Sequence, residues 1–217
     1  MIDGIIDWET IGPAPSGKVI ELSFIPFDSS LTEDITFSGL VAKGRKFKFN
    51  LKTQPKRVSN ASTLEWWKKQ SDEAKKILIP SDEDLELKDG IAQFLDFVKE
   101  SGIDPWKSHM FCRGQSFDFP ILVDVIREVY ETDDTFNLEP VKFWNQRDVR
   151  TAIEYTLLQR DLTTCPLPNG TLNGFVMHNS IHDCAKDILM LKYATLYAKG
   201  ELEYPTDIDP LSQKTGH

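Results

Sequence analysis

The 217 residues include only three cysteines, four histidines and four methionines. Three thiols (Cys112, Cys165, Cys184) cannot all pair, which excludes a disulfide scaffold. No apolar run approaches the about 18 residues of a membrane span, and Met1–Thr10 carries acids without a basic leader region. The expectation is a chain with no membrane partner and reduced thiols in a cytosol. No repeat or low-complexity block is visible. With 40% hydrophobic and 27% charged residues, a wholly disordered chain is excluded. Basic residues are outnumbered, 25 to 34, for a net charge of −9, which by itself argues against a polyanionic partner.

The distribution of charge qualifies that exclusion. Lys43 to Arg57 holds seven basic residues and no acid, whereas Asp82 to Asp89 holds five acids and one lysine. The basic stretch suits either a phosphate-backbone contact or an edge strand blunted by lysines. On an alternating strand Phe47, Phe49 and Leu51 face the core while Lys46, Lys48 and Lys52 face outward.

The chain opens with strand patterns at Gly4–Ile6 and Val19–Phe27, and further strands are expected over Thr36–Val41 and Phe47–Leu51. Ser62-Thr63-Leu64-Glu65 has capping-box spacing and opens a helix with Trp66 and Trp67. Helical spacing of Ile91, Leu95 and Val98, a short strand at His109–Cys112 and a helix from about Pro120 follow. A strand near Phe143–Gln146 precedes helices near Asp148–Gln159 and Asp183–Ala198, with Gly200 as a C-cap. This order predicts one α/β domain over residues 1–200, a mixed sheet flanked by helices, and a mobile polar tail over 201–217.

Three acidic sites stand out. Asp7 and Glu9 follow the apolar run Ile5-Ile6, and residues two apart on a strand share a face. Asp-x-Glu alone is weak, since Asp84 and Glu86 repeat it in a polar stretch. Asp118, in FCRGQSFDFPIL, falls where a strand turns into a helix and is equally readable as an N-cap. HNSIHDCAKDILMLKY holds two overlapping pairs with equal spacing, His178 with Asp183 and His182 with Asp187. A zinc reading from His178, His182 and Cys184 lacks a second cysteine pair.

In chain order these sites resemble the histidine-bearing branch of the DEDD superfamily of 3′-to-5′ exonucleases. The blocks STLEWWKKQSDEA, CRGQSFDFPILVD, KFWNQRDVRT, TTCPLP and SIHDCAKDILM are similar to the exonuclease A (DexA) type of T-even-like bacteriophages, across nearly the whole chain. The resemblance implies an RNase H-like (DnaQ-like) fold and hydrolysis of single-stranded DNA from the 3′ end to nucleoside 5′-monophosphates, in the cytoplasm of an infected bacterium. It also implies two Mg²⁺ or Mn²⁺ ions on Asp7, Glu9, Asp118 and a fourth acid. Cys184 meets the family's small position two past the histidine, which favours His182 as base and Asp187 as fourth acid; His178 and Asp183 are the fallback. Thr10, Phe117 and Trp66 are the implied substrate contacts, although which of the adjacent tryptophans is core stays open. Gly114 stands where many members carry asparagine.

The chemistry fits these residue types. In-line hydrolysis of a phosphodiester puts charge on entering and leaving oxygens, and hard divalent cations held by carboxylates stabilise both. An imidazole titrating near neutrality suits proton removal from water. An RNA-preferring exoribonuclease is the second reading, and a non-catalytic nucleic-acid-binding subunit the third. Arg147, Asp148 and Arg150 form either a structural salt-bridge network or a phosphate contact.

Overall fold

Strand β1 (Ile2–Thr10) reads as a continuous apolar run at Ile5-Ile6 because it lies at the centre of a five-stranded sheet and is covered on both faces. The computed structural model describes residues 1–31 and 35–213. Strand order is β3-β2-β1-β4-β5. β2 (Val19–Asp28) pairs antiparallel with β1 and with β3 (Arg45–Lys48), whereas β4 (Met110–Cys112) and β5 (Gln146–Asp148) run parallel to β1. This is the mixed, helix-flanked α/β sheet expected from the sequence.

The two faces separate by strand periodicity. Ile6, Trp8, Leu22, Phe24 and Met110 meet α4 (Leu87–Glu100) and α5 (Gln115–Tyr130) through Ile91, Phe94, Leu122 and Val125. Ile5, Ile25 and Phe27 point the other way, onto α1 (Phe37–Lys43), α6 (Val149–Leu157) and α7 (Ser180–Ala198). Asp7 and Glu9 share the parity of Ile5, so the strand delivers both to the face covered by α7. A smaller cluster of Ile11, Ile20, Trp67 and Ala74 holds α2 (Ala61–Lys68) and α3 (Asp72–Lys75) beside the end of β1.

Several local expectations change. Thr36–Val41 belongs to a helix: Thr36 accepts a hydrogen bond from the Gly39 N–H, and Phe37 and Leu40 bury at helical spacing. The strand expected at Phe47–Leu51 runs over Arg45–Lys48, although Phe47 and Phe49 are core residues as expected. Asn60, not Ser62, caps α2, and Glu65 pairs with Lys68 instead of completing a capping box. α5 begins at Gln115, five residues before Pro120, so Asp118 lies inside its first turn and is not its cap. Phe143–Asn145 is a 3₁₀ turn leading into β5.

The stretch after Gly200 packs down through Gln213; the remaining residues of the expected mobile tail, 214–217, lie outside the described residues. Asp209 accepts from the Leu172 N–H at 3.0 Å, Lys186 donates to the Leu211 carbonyl at 2.7 Å, and Tyr204 stacks on Tyr197. Among the described residues no helix is long and apolar enough to cross a membrane.

Gly4 shows how tightly the centre is packed. A Cβ there would stand 2.3 Å from the Phe24 ring and 3.1 Å from Met110 Sδ, and both side chains are fully buried. Gly4→Ala is expected to lower the urea-unfolding free energy by about 1–3 kcal/mol through overpacking; an unchanged midpoint would contradict this packing.

Candidate active site

The end of β1, the turn after β4 and the start of α7 meet at one cleft of about 660 Å³. Its lining includes Asp7, Glu9, Asp118, Asp183 and Asp187, together with Thr10, Trp66, Phe117 and His178. Asp7 and Glu9 arrive side by side from β1. Asp118 is brought in by the turn at Gly114, whose φ of +147° a glycine adopts without steric cost. Its Oδ1 accepts from the Trp8 N–H at 3.1 Å, which ties α5 to β1. Asp148 secures the same corner, accepting from Thr151 N–H at the start of α6 and from Gln115 N–H at the start of α5.

α7 supplies the remaining groups, one turn apart. Asp183 Oδ2 accepts from the His178 N–H at 2.9 Å, closing the loop before the helix. His178 has a φ of +61°, a strained backbone for a non-glycine residue, and its ring packs edge-on against Trp66 with centroids 4.6 Å apart. One ligand atom each from Glu9, His178 and Asp183 lies within 4.8 Å of the others. Asp187 is differently placed: Arg113 binds it at 2.7–3.0 Å through Nε and Nη2, so its charge is already met by a guanidinium.

His182 does not line the cleft. Its Nδ1 accepts from the Val176 N–H at 3.0 Å, and its ring packs against Phe37 and Phe175. Burial, aided by the Lys46 charge, pushes its pKa down and favours the neutral ring. The geometry therefore brings His178, Asp183 and Asp187 to the other acids, with Asp187 also ion-paired to Arg113, and leaves His182 of the pair preferred from the sequence outside the cleft lining. The residue that separates the pairs is Asn179, the N-cap, which leaves His178 on the preceding loop and puts His182 inside the first helical turn.

The tryptophans also divide. Trp67 is core, its Nε1 donating to the Thr10 carbonyl at 2.8 Å, while Trp66 faces the cleft. Thr10 spends its hydroxyl on the Gly12 carbonyl. The basic stretch Lys43–Arg57 contributes no residue to the cleft lining. Lys46 pairs with Glu21, Lys48 with Asp84, and buried Arg57 with Asp124 and Glu128. Arg150, for which the sequence left a phosphate contact open, lines the cleft, as does Arg113, which carried no sequence signal beyond following a strand end.

Crowded carboxylates resist ionisation. Burial, then the neighbouring charges of Glu9 and Asp118, raises Asp7 well above the ordinary carboxylate range. Glu9 is raised in the same way by burial, Asp183 and Glu21. Burial pushes Asp118 up to about 7 against the opposing Trp8 hydrogen bond, and burial with the Asp187 charge brings Asp183 to about 7. Oxygen donors gathered in this way, with Arg113 committed to Asp187, fit hard divalent cations such as Mg²⁺ or Mn²⁺.

A family described as the 3′-5′ exoribonuclease Rv2179c-like domain matches residues 3–194. An exodeoxyribonuclease of Enterobacteria phage T4 is 56% identical over 225 aligned residues, covering 99% of each chain. Among solved structures, E. coli exonuclease I in a zinc-bound complex with single-stranded DNA aligns at a TM-score of 0.58 and 13% identity, over 90% of this chain and 40% of that one. Exonuclease I with a dA16 oligonucleotide aligns at 0.57 and 14% identity, over 92% and 41%. The chain thus spans about two fifths of exonuclease I, and the likeness establishes the DnaQ-type, RNase H-like exonuclease fold.

The raised carboxylate pKa values carry a signed consequence. The folded state holds protons that the unfolded chain releases near 3.8, so metal-free protein loses stability as pH rises from there through about 7. Thermal melts in chelator are expected to give a lower Tm at pH 8 than at pH 5, with added Mg²⁺ raising Tm more at pH 8. An equal Mg²⁺ effect at both pH values would contradict the carboxylate assignment.

Proposed function

This chain belongs to the 3′-5′ exoribonuclease Rv2179c-like domain family and is an exonuclease, and on that premise we propose that it shortens single-stranded DNA from the 3′ end. Water attacks the terminal phosphodiester, the P–O3′ bond breaks, and a nucleoside 5′-monophosphate leaves behind a new 3′-hydroxyl. The observation that carries this reading is the convergence of Asp7, Glu9, Asp118 and Asp183 on one cleft beside His178.

Asp7, Glu9, Asp118 and Asp183 are the residues that would hold two divalent cations. When bound, such cations supply Lewis-acid polarisation of the phosphate and compensation of the charge developing on it. His178 takes the proton from the attacking water as general base. Trp66 packs against its ring and the Asp183 carboxylate holds its backbone N–H, which restricts where the imidazole can point. Phe117 and Trp66 offer apolar surface to the terminal base, and Arg150, on the first turn of α6, offers a guanidinium to a phosphate. Arg113 fixes Asp187 and through it the orientation of α7 against β4.

DNA is favoured as substrate by the phage relative, RNA by the family's description. The test uses 5′-labelled single-stranded DNA and RNA of one sequence. The expected result is a one-nucleotide ladder growing from the 3′ end, faster on DNA, absent in chelator; release of labelled mononucleotide without a ladder, or activity in chelator, overturns the reading.

The two histidines separate in the same assay. His178→Ala is expected to lower kcat by about 10²–10⁴-fold while His182→Ala retains kcat within about tenfold and loses thermal stability. The reverse pattern would return the base to His182.

A further inference from the structure

Away from the cleft, four large aromatic side chains lie exposed together on the segments leading into β4 and β5. Trp106, Phe136, Phe143 and Trp144 keep 59%, 37%, 65% and 46% of their surface in water. They form one patch: Trp106 lies 6.0 Å from Phe136 and 5.9 Å from Trp144 between ring centroids, and Phe143 lies 4.9 Å from Trp144. Single exposed aromatics are ordinary, but a contiguous set at a sheet edge marks a surface that meets something.

Charge narrows what that is. Lys142 is buried beneath the patch, with Nζ 3.7 Å from the Phe136 ring centroid and 4.7 Å from that of Trp106. It donates to the Phe136 carbonyl and reaches Asn137 Oδ1. Arg147 donates to the carbonyls of Trp144 and Gln146 and contacts His109 Nε2. Among the described residues neither cation meets a carboxylate. Lys142 therefore lies beneath the aromatic layer without an ion-pair partner, and Arg147, whose charge also acts on Asp3, lies at its edge; the centres of protein–protein contacts, by contrast, are depleted in lysine.

The patch also connects to the cleft. A hollow of about 420 Å³ between them is lined by Pro15, Gln115, Phe119, Pro120, Arg127 and Phe143, among others. Gln115 lies between Gly114 and Ser116, both of which line the cleft. A strand whose 3′ end occupies the cleft can cross the start of α5 and reach Phe143.

We infer that this patch is a stacking platform for the upstream nucleotides of the single-stranded substrate. Bases lie on Phe143, Trp144 and Trp106, and phosphates face the field of Lys142 and Arg147, the combination that holds single strands without reading their sequence. The direction of the strand rests on the proposed 3′-end exonuclease reading; the binding surface itself does not.

The test is the full-length F143A/W144A variant, whose replaced side chains are largely exposed, compared with wild type by fluorescence anisotropy in chelator. The variant is expected to bind labelled dT12 about tenfold or more weakly, with dT3 changed by no more than about twofold. In Mg²⁺, KM for dT12 rises while kcat stays close to wild type. Unchanged dT12 affinity, or equal weakening of dT3 and dT12, overturns the platform. So does a dimer in sedimentation that the variant dissociates without loss of oligonucleotide affinity, because a second copy then covers the rings. Should wild type prove unable to degrade DNA, the anisotropy comparison still decides the platform, and only the catalytic reading falls.

Discussion

Mutual repulsion among buried and half-buried carboxylates is the interaction on which the site depends. Asp7 and Glu9 on β1, Asp118 on α5 and Asp183 on α7 each lose solvation on folding, and the charges of neighbouring acids, Asp187 among them, raise their pKa values further. A fold gains nothing in stability from such a cluster when it is bare. Bringing the acids together has a purpose only if cations of high charge density occupy the cleft, and hard divalent ions with oxygen preference fit that need. The surrounding structure resists the repulsion: a backbone hydrogen bond holds Asp118 to β1, Asp183 accepts the His178 N–H, and Arg113 neutralises Asp187.

That division of labour explains why two acids one turn apart on α7 differ. Asp187 lines the cleft but is bound by a guanidinium from the turn after β4, which links helix to sheet. Asp183 lacks such a lock and faces Glu9 and His178. The second layer continues the pattern: Glu21, which pairs across the sheet with Glu9, is met by Lys46 and the Ser180 hydroxyl. Of the basic stretch that looked suited to phosphate, Lys46 joins this frame, whereas Lys48 and Arg57 pair with Asp84, Asp124 and Glu128 away from the cleft. The proposed binding surface for an extended strand lies instead on the aromatic rings beside Lys142 and Arg147.

Much of this was legible in the sequence. The apolar run before Asp7 and Glu9, the strand-to-helix position of Asp118 and the alternation of Phe47 and Phe49 all correspond to real constraints of burial and periodicity. What escaped is equally specific. His178–Asp183 and His182–Asp187 have identical spacing, so spacing could not choose between them; the choice depends on where α7 starts, which Asn179 and Ser180 set three residues before the helix start expected at Asp183. Thr36–Val41 looked like a strand because a seven-residue helix is too short to show its period clearly. Trp66 and Trp67 were inseparable because their fates depend on the Thr10 carbonyl, a partner remote in sequence.

Asp7, Glu9, Asp118 and Asp183 are proposed to share cations, with Asp187 and His182 outside the set. Anomalous scattering from crystals grown with Mn²⁺ and a mononucleotide tests this sharing most directly. The expected result is Mn²⁺ peaks bounded by Asp7, Glu9, Asp118 and Asp183, with the His178 ring toward the phosphate and Asp187 still on Arg113. Peaks on Asp187 with its Arg113 pairing broken, or no peak between β1 and α7, would contradict it.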